Sequence, residues 1–185
     1  MTMFADVGIP MIFIQWPLMF FALIPVIGVE GILVRRWVSL SREQAFSGIT
    51  VANVVSTLIG VPVAWLAMLA VQYAVLLPVD MAAERWHWQL DSPLFEVVGF
   101  ALSVAWIAPF EAYWTVPAAA ALLLFPSFYV SVWIERRVCL RSWPTADKAA
   151  VRRGVYLANV GSYGLLFLLG CGWTVVALLT RKPAA

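Results

Sequence analysis

Charge is what this chain has least of. Of 185 residues only 12 are Lys or Arg and 10 are Asp or Glu, 12% together, while 63% are hydrophobic. An ordinary soluble domain carries about twice that share of charge. Left in water, such a chain would expose long apolar stretches and aggregate, so its solvent is a bilayer. Disorder is excluded by the same figures. Two cysteines are too few for a disulfide scaffold, and a net charge of +2 with no gathered basic module excludes a nucleic-acid-binding domain. One histidine rules out bis-histidyl haem ligation within the chain. Also missing are a P-loop, a His-Glu-x-x-His pair, a Gly-x-Ser-x-Gly elbow and an aspartate cluster for magnesium. No cofactor is expected.

The charges that are present divide the chain into uncharged runs at 7–29, 44–79, 97–110, 112–134 and 154–180. A helix needs about 20 apolar residues to cross a hydrocarbon core of about 30 Å. Four runs qualify, and the run 97–110, at 14 residues, is too short for an upright crossing. Its helix is framed by Ser92 as N-cap, Pro93 at the first position, Glu96 in the first turn and a stop before Pro109. The N-terminus has no basic region or cleavage signal, so the first span is expected to be retained.

An internal repeat organises these runs. Pro17, an apolar helix, Arg35-Arg36, a polar loop and Ala52-Asn53-Val54-Val55-Ser56 are followed by Pro117, an apolar helix, Arg136-Arg137, a longer loop and Ala158-Asn159-Val160-Gly161-Ser162. The offset is 100 residues at the prolines, 101 at the arginine pairs and 106 at Ala-Asn-Val-x-Ser, with the drift assigned to the loop.

The expected fold is therefore an all-α integral membrane protein, a helical bundle of two tandem transmembrane hairpins with four full spans plus one short re-entrant or interfacial helix. A five-span arrangement is the alternative. Residues 1–78 form the first hairpin, 79–113 an extracytoplasmic connection with an amphipathic and a re-entrant or interfacial helix, and 114–185 the second hairpin. The loop 35–47 carries a net +2 and the segment 135–153 a net +4, against −4 for 79–113. Basic residues mark cytoplasmic loops. Both tips are thus expected inside a bacterial-type inner membrane, with the termini outside. The second helices begin at Ser41-Arg-Glu-Gln44, a capping box, and at Thr145 as N-cap with Asp147 near the helix dipole. Pro10, Pro17, Pro25, Pro62 and Pro126 fall inside or near spans and are expected to kink them.

Polar residues inside a bilayer need partners, so they are the first candidates for function. Asn53 with Ser56, and Asn159 with Ser162, stand at equivalent places, each amide expected to bond the first helix of its own hairpin. Gly154, Ala158 and Ser162 form a small-residue packing face. Glu30 lies close to Arg35 and Arg36, and an arginine pair or snorkelling accounts for it; Glu111 is the other carboxylate near a span. Asp80, Glu84, His87 and Asp91 share one helical face, a wet acidic stripe that is the one weak metal candidate. Arg35, Arg36, Arg136, Arg137, Lys148, Arg152 and Arg153 face anionic lipid headgroups. Cys139 in the tip and Cys171 in the last span stay reduced.

These features point to a non-enzymatic accessory, scaffold or assembly subunit of a larger membrane complex, partnered by the bilayer and other membrane subunits. The alternative is a small-solute or ion transporter or channel that uses the polar residues between the repeats. A lipid-modifying enzyme would need the acidic stripe as its centre.

Overall fold

Capping residues set where the helices begin. The computed structural model describes residues 12–86, 93–102 and 114–180, and no strand occurs among them. The helices are α1 (Ile12–Val34), α2 (Arg42–Val55), α3 (Val61–Trp86), α4 (Pro93–Leu102), α5 (Thr115–Ser142) and α6 (Lys148–Leu179). A π-helical turn, Ser56–Gly60, joins α2 to α3 without a break. The molecule is an all-α bundle with four helices long and apolar enough to cross a membrane. Its outer surface is apolar, with Phe21, Ile24, Tyr129, Leu168 and Leu179 all well exposed, as a lipid-facing surface requires.

Helix α2 starts at the expected capping box: the Ser41 hydroxyl accepts from the Gln44 N–H, and the Gln44 side chain accepts from the Ser41 N–H, both at 3.1 Å. Helix α6 starts later than expected. Its N-cap is Asp147, not Thr145, and the Asp147 carboxylate accepts from the N–H groups of Ala149 and Ala150 at 3.2 and 3.0 Å. A carboxylate neutralises the positive helix end as well as capping it, which favours aspartate over threonine.

Three other expectations change. Helix α5 runs on to Ser142, so the segment 135–142 expected in the basic tip is helix, and the turn between spans is only 143–147. Cys139 accordingly sits fully buried in the core, not in a tip; both cysteines are free. The acidic stripe begins not in a separate helix but at the end of α3, which carries Asp80 and Glu84; His87 and Asp91 lie outside the described residues. Of the short helix, Pro93 begins α4 as expected; residues 103–113, with Pro109, lie outside the described residues, as does Pro10.

The π turn has a local cause. Proline at position 62 has no N–H, and its ring would strike the carbonyl four residues back, at Leu58. Widening the helix over Ser56–Gly60 relieves that clash. The Thr57 carbonyl, five residues before Pro62, then finds no i+5 donor, and the Trp16 indole N–H donates to it from α1 at 3.2 Å.

Both inter-helix turns lie at the same end of the bundle. Val34, Val38, Ala45, Ile49 and Ala52 pack there with Cys139, Trp143, Val151 and Val155. Glycines on both sides admit the close approach. A Cβ on Gly48 would come within 2.5 Å of the Trp143 ring, and one on Gly154 within 3.2 Å of Trp37 and Val38. Each half thus seats its turn tryptophan on a glycine of the other.

Candidate functional site

Just inside that end, two glutamates are buried side by side. Glu30 on α1 is 0% exposed and Glu135 on α5 is 1% exposed. The Asn53 amide donates to Glu30 Oε2 at 2.7 Å, and the Asn159 amide donates to Glu135 Oε2 at 2.6 Å. The serines cross between halves. Ser162 lies 2.5 Å from Glu30 Oε1, and Ser56 lies 2.8 Å from Glu135 Oε1. Exchanging the halves maps one set of bonds onto the other, atom for atom. The two carboxyls are held by the same two Asn-x-x-Ser pairs, each pair reaching both of them.

The supporting shell locks these donors. Each amide spends its second N–H on the carbonyl four residues back, Asn53 on Ile49 and Asn159 on Val155, both at 3.1 Å. Neither amide can turn over without losing two bonds. Asn159 Oδ1 is buried with no partner, so that bond pattern is kept at a cost. One turn before Glu135, Ser131 bonds the Tyr163 hydroxyl at 2.7 Å, which extends the polar layer sideways between α5 and α6.

Neither carboxyl has an arginine or lysine partner among the described residues. The arginine pairing expected for Glu30 does not form, because Arg35 and Arg36 lie beyond the end of α1 and point outward, exposed. Two unneutralised charges cannot share an apolar interior, and a carboxylate can only accept hydrogen bonds. A proton shared between two such carboxyls removes the repulsion of like charges.

The serines are built for either state. Each hydroxyl has one proton to give, yet each stands near two acceptors: Ser56 is 3.1 Å from the Asn53 carbonyl, and Ser162 is 3.2 Å from the Asn159 carbonyl. Toward an ionised carboxylate the hydroxyl donates. Toward a protonated carboxyl it can turn to the backbone carbonyl and accept. The same heavy-atom geometry serves both.

Among the expected site residues, Glu30, Asn53, Ser56, Asn159 and Ser162 converge here. Gly154, Ala158 and Ser162 form a buried line on α6 facing α1. Glu135, which falls in the segment 135–153 expected as a basic tip, belongs instead to the centre. The signal was present: Glu135 follows Glu30 by 105 residues, close to the 106 that separates the Asn and Ser pairs, whereas aligning the arginine pairs at 101 hides it. Asp80 is half-buried and Glu84 exposed; His87, Asp91 and Glu111 lie outside the described residues, within which no group of metal-ligating side chains assembles. The basic residues divide. Arg136, Lys148, Arg152 and Arg153 line one cleft, Arg137 stacks on Trp133 at 3.5 Å, and Arg35 and Arg36 are exposed elsewhere.

Fold and site together define an all-α bundle of candidate membrane spans with a carboxyl pair at its core. Comparison with known proteins finds no matching family model, no similar curated protein and no similar solved structure.

Proposed function

We propose that this chain is a non-enzymatic multi-pass membrane protein of the transporter class, in which Glu30 and Glu135 bind a proton at the interface of two tandem, duplicated hairpins. The observation that supports it is the reciprocal bonding of two buried carboxyls by two Asn and two Ser side chains. Ionisable groups inside a span mark proton or ion pathways more often than packing. A carboxyl pair at the core of the bundle supports this reading over that of an accessory subunit.

Proton occupancy couples to the arrangement of the halves. The cross-bonds Ser56 to Glu135 and Ser162 to Glu30 join one hairpin to the other, whereas the amide bonds stay within a hairpin. Losing the proton leaves two like charges side by side in an apolar interior and strains that joint. A two-state element biased in this way is what a proton carrier requires. The setting is a bacterial-type inner membrane with the basic turns cytoplasmic. Both turns lie at one end of the bundle, which favours four spans over five.

Proton uptake by proteoliposomes under an imposed potential tests the reading. Wild-type vesicles should acidify, and Glu30→Gln and Glu135→Gln should each abolish the flux while the protein stays folded and monodisperse. Asn53→Ala and Asn159→Ala should reduce it severalfold. Wild-type vesicles as tight as empty ones would favour an accessory subunit in which the pair is a static lock.

A further inference from the structure

A second feature lies on the outer face of α5 and α6, apart from the carboxyl pair. At the turn end is an open cleft of about 690 Å³ lined by Arg136, Lys148, Arg152 and Arg153, with Asp147 as its one carboxylate. That carboxylate is committed to capping α6. The cations are left without an acidic partner in the cleft, and Arg136 Nε is buried with no hydrogen-bond acceptor. Fixed donors of this kind suit a phosphate.

Below the cleft, between the same two helices, runs an aromatic groove of about 380 Å³ lined by Phe128, Tyr129, Tyr156, Tyr163 and Phe167. Tyr156 joins the two, since it walls the groove, lies one turn from Arg152 and carries the Arg136 guanidinium over its ring at 5.2 Å. Gly164 leaves the groove open: a Cβ there would meet nothing within 4 Å. From Tyr156 to Phe167 the helix rises about 16 Å, about half of a ~30 Å hydrocarbon core and so the depth of one leaflet.

We infer that this face binds one anionic glycerophospholipid, with its phosphate in the basic cleft and one acyl chain in the aromatic groove. Charge selects the headgroup, and the continuity of cleft and groove over one leaflet selects a lipid rather than a free anion. The first half does not repeat these side chains. Residues 106 positions earlier put Phe46 where Arg152 stands, Thr50 for Tyr156 and Leu58 for Gly164.

Detergent-solubilised full-length protein is titrated with dioleoyl phosphatidylglycerol, dioleoyl phosphatidylcholine or inorganic phosphate, and bound lipid is counted by native mass spectrometry. One phosphatidylglycerol should be retained at least tenfold more tightly than phosphatidylcholine. The exposed double variant Lys148→Gln/Arg152→Gln should lose roughly 30-fold in phosphatidylglycerol affinity, at about 1 kcal/mol per basic residue and 1.4 kcal/mol per decade, with phosphatidylcholine unchanged. Gly164→Leu should weaken both lipids at an unchanged melting temperature. Equal retention of the two lipids, no effect of Gly164→Leu, or displacement of phosphatidylglycerol by millimolar phosphate would each overturn the assignment, the last in favour of a free-phosphate site.

Discussion

The two halves of the bundle hold the same carboxyl, amide and hydroxyl groups on different backbones. In the first half, Ser56 opens a π turn forced by Pro62; in the second, Ser162 sits in an unbroken α6. The turn tryptophans differ as well. Trp143 is 5% exposed and its indole donates to the Gln44 carbonyl at 3.1 Å, while Trp37 is 42% exposed and lies under the Arg153 guanidinium at 4.5 Å. What stays constant across the halves is the bond pattern at the carboxyls, and what varies is the means of reaching it. The constant part is the functional one in this account.

The largest effect is expected where the halves agree. Glu30→Ala or Glu135→Ala orphans an amide and a hydroxyl in an apolar interior, at about 1–3 kcal/mol for each lost partner. Thermal unfolding in detergent should show the two variants equally destabilised, and a large difference between them would break the equivalence of the halves. A clear asymmetry should follow at the glycines. Gly48→Ala drives a methyl into the Trp143 ring and should cost about 1–3 kcal/mol, whereas Gly154→Ala meets Trp37, Val38 and Val34 side chains at 3.2–3.3 Å, which have only to give by a few tenths of an ångström, and should cost less. Smaller still, Trp143→Phe loses one indole hydrogen bond, about 1 kcal/mol, against a nearly neutral Trp37→Phe. The smallest effect is that of Arg153→Gln, which removes an exposed cation–π contact of about 0.5–1 kcal/mol and should be seen as a change in Trp37 fluorescence more than in stability.

Much of the fold was legible because charge scarcity is a one-dimensional signal. Runs without charge give the spans directly, and Ser41 with Gln44 gives a helix start from local chemistry alone. The polar pairs Asn53 and Ser56, and Asn159 and Ser162, were found because a repeated polar group in an apolar helix stands out. Glu135 was not, because its neighbours Arg136 and Arg137 make it read as surface. Whether a carboxylate beside two arginines turns inward depends on helix phase and on how far α5 extends, which hydropathy does not report. The crossing of the serines to the opposite half is likewise a tertiary fact, since it requires α1 and α6 to touch. The π turn was half legible: Pro62 marked a disturbance, but the remedy involved Trp16, 46 residues away.

The central claim is that Glu30 and Glu135 hold a proton between them inside the bundle. Infrared spectra of the protein in nanodiscs test it most directly, through the carbonyl stretch of a protonated carboxyl shielded from solvent. The account predicts that band in the wild type, shifted on slow deuterium exchange and absent from Glu30→Gln/Glu135→Gln. A wild-type spectrum that shows only ionised carboxylate and matches the double variant in the carboxyl region would contradict it.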